Sequence, residues 1–261
     1  MLRLRQICLV AQDLKQVEDE FRDVFGLEVC HRDPAVAKFG LENFLMPIGR
    51  NFLEVVAPTQ DGTTAGRYLE RRGGDGGYIV ILQCDDADRR RALYEKLGVR
   101  IAHTMDYGDF LGTQLHPKDV GACMLEVDRQ DGDAVDGAWH PAGGDWEGAV
   151  RTERVRAMIG CSLQSQAPLR LAERWGEALD RPAKPGGDRF RIELDNGAID
   201  VTSPGDDRGD GLIGVTLRTS DRAAIVEAAK ARGLPASFDR VTICGTHFDL
   251  VEPIEPAKEA S

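Results

Sequence analysis

Apolar and polar residues change period along this chain in one order that occurs four times. In the first copy the apolar run RQICLVAQD gives way to LKQVEDEFRDVF, where Leu14, Val17, Phe21 and Val24 fall on one face of a 3.6-residue repeat. Asp13 stands where an N-cap belongs and Gly26-Leu27 follows, so the spacing predicts a strand and then an amphipathic helix. YIVILQCDD, ADRRRALYEKL and Gly98-Val99 repeat the order, as do LIGVTLRTSD, RAAIVEAAKAR and Gly233-Leu234. In the third copy VRAMIGCSLQSQAP leads into LRLAERWGEALD, and Asp180-Arg181-Pro182 replaces the glycine.

About three short strand candidates follow each helix, with turn residues between them. In the first copy these are LEVCHRD, AVAKFGLENFLMPI and NFLEVVAP, and in the second VRIAHTMD, FLGTQLHP and GACMLEVD. RFRIEL and GAIDVTSP stand out in the third copy, FDRVTIC and HFDLVEP in the fourth. The unit is therefore β-α-β-β-β and the fold class α+β. One helix covers one face of such a sheet, so the other face must meet something. Two units side by side make a curved sheet whose concave face can hold a ligand. RQDGDAVDGAWHPAGGDWEGAVRTE, rich in Gly and Asp, reads as a linker. The expected organisation is a first pair of units at 1–130, a linker at 131–150, a second pair at 151–255 and a tail at 256–261.

Charge narrows the partners. The chain carries 44 acidic and 33 basic residues, a formal charge of −11 that repels phosphate backbones and anionic lipid. Arg89-Arg90-Arg91 lies beside Asp85, Asp86 and Asp88 and reads as a solvated helix face. Neither nucleic acid nor a membrane is expected. The six cysteines, Cys8, Cys30, Cys84, Cys123, Cys161 and Cys244, show no metal-knuckle spacing and suit buried thiols in a reducing cytoplasm. MLRLRQICLVAQDL is too short and too interrupted in its apolar run for a signal peptide.

The four units, with NFLEVVAP closing the first and HPKDVGACMLEVD closing the second, resemble the vicinal oxygen chelate superfamily of glyoxalase I, methylmalonyl-CoA epimerase, extradiol dioxygenases and bleomycin-resistance proteins. The likeness spans about 240 residues, and HPKDVGACMLEV is similar to the end of methylmalonyl-CoA epimerases. It implies modules paired into two curved-sheet cups. It also implies a divalent ion, held by one residue from the first strand and one from the last strand of each unit. Carried over position by position, those residues are Gln6, Glu54, Ile79 and Glu126. The set differs from the Gln, Glu, His, Glu of one glyoxalase I type only at Ile79, which has no donor. Tyr78 beside it has an oxygen, but alternation points it to the other face. The second half offers Met158, Asp200, Gly214 and Asp249, without an imidazole, and no metal is expected there.

Glu54 and Glu126 each interrupt an apolar strand at matching ends of two units; they either face outward, as a lone Glu usually does, or line a shared cavity. With a metal and Gln6 between them both would stay ionised; without one, two close carboxylates would share a proton and one pKa would rise. His116 is either a replacement ligand or acid/base group, or it fixes the Pro117–Gly121 turn. His31, His103 and His140 read as structural or exposed, and His247 shares a strand face with Asp249. GGDGGYIV enters a strand, so it lacks the anion-binding geometry of a helix N-terminus. Trp139 and Trp146 are either a lid or packing for the linker.

The expected function is a glyoxalase-like enzyme, an isomerase or lyase that abstracts a proton next to a carbonyl with Glu54 or Glu126 as base. Its substrate would be a 2-oxo acid, thiohemiacetal or vicinal diol. One divalent ion (Zn, Ni, Co, Mn or Fe) on Gln6, Glu54 and Glu126 would assist, or the cup would be metal-free. A metal-free small-molecule binder is the rival. An oxygen-activating iron site, with two histidines and a carboxylate, has no match at Gln6 and Ile79. Homodimer pairing stays open.

Overall fold

The computed structural model describes residues 1–132 and 136–252; the expected tail at 256–261 lies outside them. The first sheet holds β1 (Leu2–Val10), β2 (Leu41–Ile48), β3 (Asn51–Pro58), β4 (Gly76–Cys84), β5 (Ile101–Asp106), β6 (Phe110–Leu115) and β7 (Met124–Gln130), in the order β2-β3-β1-β4-β7-β6-β5. The second holds β8 (Val155–Gln164), β9 (Ala183–Gly186), β10 (Arg189–Leu194), β11 (Gly197–Thr202), β12 (Gly211–Thr219), β13 (Arg240–Ile243) and β14 (Thr246–Val251), in the order β13-β14-β12-β8-β11-β10-β9. The helices are α1 (Leu14–Phe25), α2 (Thr64–Arg72), α3 (Ala87–Lys96), α4 (Pro117–Val120), α5 (Pro168–Leu179) and α6 (Arg222–Ala231).

Each unit's last strand returns parallel to its first, β3 beside β1, β7 beside β4, β11 beside β8 and β14 beside β12. The first strands of two units meet antiparallel at the centre, β1 with β4 and β8 with β12. This is the expected α+β architecture of two curved, open sheets built from paired modules. Asp13, Asp86 and Asp221 cap α1, α3 and α6 as the sequence pattern predicts, each accepting a backbone N–H three residues on.

Three segments depart from the expected pattern. LEVCHRD forms only an isolated bridge, His31 to Leu45, because Asp33 caps a 3₁₀ turn that Pro34 opens, and this turn takes up the chain as far as Phe39. In the fourth unit a bridge from Ala236 to Val241 likewise stands in place of a strand. Between β3 and β4 the chain forms α2, which the unit pattern does not contain: Thr63 Oγ1 caps the Gly66 amide at 2.9 Å, and Gly73 closes the helix in the left-handed region at φ 70°. Both caps are visible in the sequence.

Alternation decides which side chains meet. Ile7, Leu9, Val80, Leu82, Leu125 and Val127 point to one side, where they join α1, α3 and apolar residues of β12 and β14 in a single core shared by both sheets. Their neighbours point into the concave face of the first sheet. Arginines tie the halves together: buried Arg72 donates through Nη1 to the carbonyls of Arg208, Gly209 and Asp210 at 2.8, 3.1 and 2.9 Å, and Arg208 in turn donates to the carbonyls of Arg72, Gly74, Asp75 and Gly245. No helix among the described residues is long and apolar enough to cross a membrane.

Candidate functional site

The concave face of the first sheet is laid out by register. One row across the strands runs Phe52, Gln6, Ile81, Glu126 and Gln114; the next runs Leu45, Glu54, Cys8, Ile79 and Met124. Two bulges between β1 and β4 add residues to this face. Arg5 is the extra residue between Leu4 and Gln6, and Tyr78 the extra residue between Gly77 and Ile79. Tyr78 therefore joins the concave cluster, its ring 5.0 Å from that of Tyr68 on α2, where simple alternation would have sent it away.

Gln6 and Glu54 are brought together as the sequence suggested. Gln6 Nε2 donates to Glu54 Oε2 at 2.9 Å, and Asn43 Nδ2 donates to Glu54 Oε1 at 2.7 Å. Burial pushes the Glu54 carboxyl up from its ordinary value, and the amides of Asn43 and Gln6 oppose the push. Glu126 shares the face. Gln114 Nε2 donates to its Oε2 at 2.9 Å.

Asp128, two residues on along β7, was not among the sequence candidates. It is fully buried, its Oδ1 accepts the Thr113 amide at 3.2 Å, and it shares a hydrogen bond with the Glu126 carboxyl. That bond needs a proton on one of them. Desolvation and the Glu126 charge hold Asp128 well above its ordinary value, so Asp128 keeps the proton. Glu126 is raised to about 7, first by burial and further by the charge of Glu54, against the bonds from Asp128 and Gln114. The alternation of Met124, Glu126 and Asp128 was the signal that could have found it. Gly112 makes room: a Cβ there would lie 3.3 Å from Asp128 Oδ1 and 2.5 Å from Met105 Cε.

The cup is roofed on two sides. α2 covers one end with Tyr68 and Leu69, and the connecting segment 136–150 crosses the other as a strap. Trp139 Nε1 donates to Gln6 Oε1 at 2.7 Å, and the indole stands edge-on to Phe110 with ring centres 5.5 Å apart. Burying a side chain of this size contributes about 4–5 kcal/mol. Trp146 packs edge-on against Phe52 at 5.1 Å. Arg5 lies between, its guanidinium 5.2 Å from the Phe52 ring centre and 5.3 Å from that of Trp139, donating to the carbonyls of Arg50 and Gly137 at 2.5 and 2.7 Å. Burial lowers its pKa to about 10. Leu41, Met105 and Met124 pack against this cluster and stay partly exposed.

His116 lies outside this cluster. It is the N-cap of α4, its Nδ1 accepting the Lys118 amide at 3.2 Å, with Arg100 Nη2 3.4 Å away and Asp119 holding Arg100. It fixes the turn, the second of the roles open to it.

The residues do not fit a divalent ion. Ile79 supplies no donor; the Gln6 oxygen takes the indole N–H, and both Glu54 oxygens take amide protons. Among the described residues no group of three His, Cys, Asp or Glu side chains stands close enough to hold a metal. The second cup fits less well. Asp200 is paired with Arg191 at 3.0 Å and Asp249 with Arg240 at 2.6 Å, while His247 Nδ1 meets Thr242 Oγ1 at 2.9 Å. Met158 belongs to the core, and by register Gly160 occupies the place that Gln6 has in the first sheet.

A family model described as a glyoxalase-like domain matches residues 7–159. Among solved structures, a mutant of 4-hydroxymandelate synthase from Streptomyces coelicolor is 15% identical, with 90% of this chain and 76% of that one covered at a TM-score of 0.65. A hypothetical protein from Staphylococcus aureus is 11% identical, with 97% and 100% covered at 0.68. A variant of methylmalonyl-CoA epimerase from Streptomyces coelicolor, in complex with 2-nitronate-propionyl-CoA, is 22% identical over 50% of this chain and 98% of that one, at 0.45. No curated protein matches the chain.

Proposed function

From the premise that the chain belongs to the glyoxalase-like domain family, within the vicinal oxygen chelate superfamily, we propose that its first cup carries out metal-free proton transfer next to a carbonyl. The buried pair of Glu126 and Asp128 is the observation that carries this reading. With Asp128 holding its proton and Glu126 raised to about 7, Glu126 stands near half-ionised at neutral pH, where a general base works best. Glu126 takes a proton from the carbon next to the carbonyl; the C–H electron pair forms a carbon–carbon double bond, and the carbonyl π pair moves onto oxygen as an enolate. Return of the proton to the same carbon or to its neighbour makes the reaction an isomerisation; expulsion of a leaving group from the enolate by its electron pair would make it a lyase. The polar shell of Gln6, Gln114 and Asn43 orients an oxygenated substrate of the 2-oxo acid or thiohemiacetal type. Its apolar surroundings keep water from competing.

One observation favours a second reading, a metal-free binding protein: Gln6 and Glu54 already satisfy each other, with Asn43 and Trp139 completing their bonds. Proton NMR in deuterated buffer separates the two. Pyruvate, 2-oxobutyrate, phenylpyruvate and the methylglyoxal–glutathione hemithioacetal serve as probes. Catalysed deuterium uptake at the carbon next to the carbonyl of at least one, lowered about 10²-fold or more in Glu126→Gln, is expected. Uptake in none leaves the binding reading.

A further inference from the structure

The residue that fills the cup of the first sheet does not come from the sheet. Trp139 arrives from the strap at 136–150, is only 1% exposed, and makes the kind of contacts a bound small molecule would make. We propose that Trp139 stands in for the ligand, and that the cup takes a planar aromatic ring bearing an N–H or O–H donor when the strap lifts and the indole leaves. This rests on the reading of the cup as the ligand site.

The demand for a donor follows from the hydrogen bonds behind the indole. Glu54 takes Asn43 Nδ2–H on one oxygen and Gln6 Nε2–H on the other. An indole N–H only donates, so it takes the Gln6 oxygen and leaves Gln6 Nε2 to Glu54. Gln6 Oε1 therefore faces the cup as a buried acceptor, filled now by the indole N–H at 2.7 Å. Whatever replaces the indole must donate there or leave that acceptor bare. The demand for a flat ring follows from the walls: the edge-on Phe110 ring at 82° to the indole plane and the Arg5 guanidinium, itself held against Phe52.

The strap is anchored by buried Trp139 and Trp146 and is otherwise lightly built. Its regular structure amounts to two 3₁₀ turns, His140–Ala142 and Trp146–Ala149. Its outer ion pair, Arg50 with Glu147, has both side chains more than half exposed, and such pairs add little. Arg5 and Arg3 reach Gly137 and Asp136 beside Trp139, so departure of the indole and release of this end of the strap are coupled. Gln6 lies in register with Ile81, and Ile81 with Glu126, so a ring seated at Gln6 has one strand, β4, between it and the base.

Indole and 1-methylindole, alike except for the donor, are the probes, titrated by calorimetry into wild type and Trp139→Ala. Hydrogen exchange over 136–150 is followed by mass spectrometry. Indole is expected to bind both proteins, about 10-fold or more tighter in Trp139→Ala because no indole need be displaced. 1-Methylindole should bind about 10-fold or more weaker than indole. In wild type, indole should speed amide exchange in the strap. Equal affinity for the two probes, or strap exchange in wild type unmoved by saturating indole, overturns the proposal. The wild-type arms decide it even if Trp139→Ala does not fold. Overturned here with α-carbon deuterium uptake intact, the catalytic reading survives alone; uptake lost with indole binding intact sinks that reading instead.

Discussion

Glu126 and Asp128 lie two residues apart on one face of β7 and join their carboxyls through a hydrogen bond, Glu126 4% exposed and Asp128 not at all. Both are held above their ordinary pKa by burial, so the folded chain binds protons more tightly than the unfolded one. The resulting penalty on folding is absent at low pH, where both groups are protonated in both states. It grows as pH rises past the unfolded value near 4.5 and levels off above about 7 for Glu126. Asp128→Asn keeps a donor to Glu126 and removes the cost of holding a buried carboxyl protonated above its ordinary pKa. It should be more stable than wild type at pH 8 by roughly 1–3 kcal/mol and gain nothing at pH 4. Thermal melts at the two values decide; equal losses at both would count against the pairing.

If Glu126 is the base, the rate of α-carbon deuterium uptake should rise with pH through about 7, as Glu126 loses its proton. The profile is read by NMR from pH 5 to 9. A flat profile would remove Glu126 from the role.

Ile79 is the one position of the four-residue set that offers no donor at all. Ile79→His would add an imidazole in the row of Glu54. Zinc or manganese titrated by calorimetry should give no stoichiometric binding with wild type and about one ion per chain with Ile79→His in a Trp139→Phe background, where the Gln6 oxygen is free. Stoichiometric binding to wild type would contradict the fit described above.

Arg72 joins the two halves through three carbonyls from one buried nitrogen. Arg72→Ala leaves those acceptors bare and should cost about 2–4 kcal/mol in urea unfolding. Arg72→Lys, which has the charge without the planar fork, should recover only part.

His116→Ala should lose about 0.5–1 kcal/mol through the lost cap on α4, and leave deuterium uptake within about twofold of wild type. A hundredfold fall in uptake would return His116 to the site.

The four-unit order was legible because periodicity, an acidic N-cap and a following glycine act over a few residues each, and in Asp13, Asp86 and Asp221 they act as read. The meeting of Gln6 with Glu54 was implied by the family resemblance alone, because β1 and β3 are buried on both faces and show no side to choose. Tyr78 escaped because a bulge is one residue added against a partner strand, which a single strand does not display. Asp128 escaped because a carboxylate ending a strand reads as solvated until β6 closes over it with Gly112. His116 looked like chemistry because histidine is both a base and a good cap, and only the distance to the cup separates the two. The role of Trp139 was left open between lid and packing for the same reason. Local sequence determined the elements and their faces through short-range sterics and burial. The contents of the cup are set by contacts between separate strands and the strap, the longest joining Trp139 to Gln6 across 133 positions, and only the packed chain brings those together.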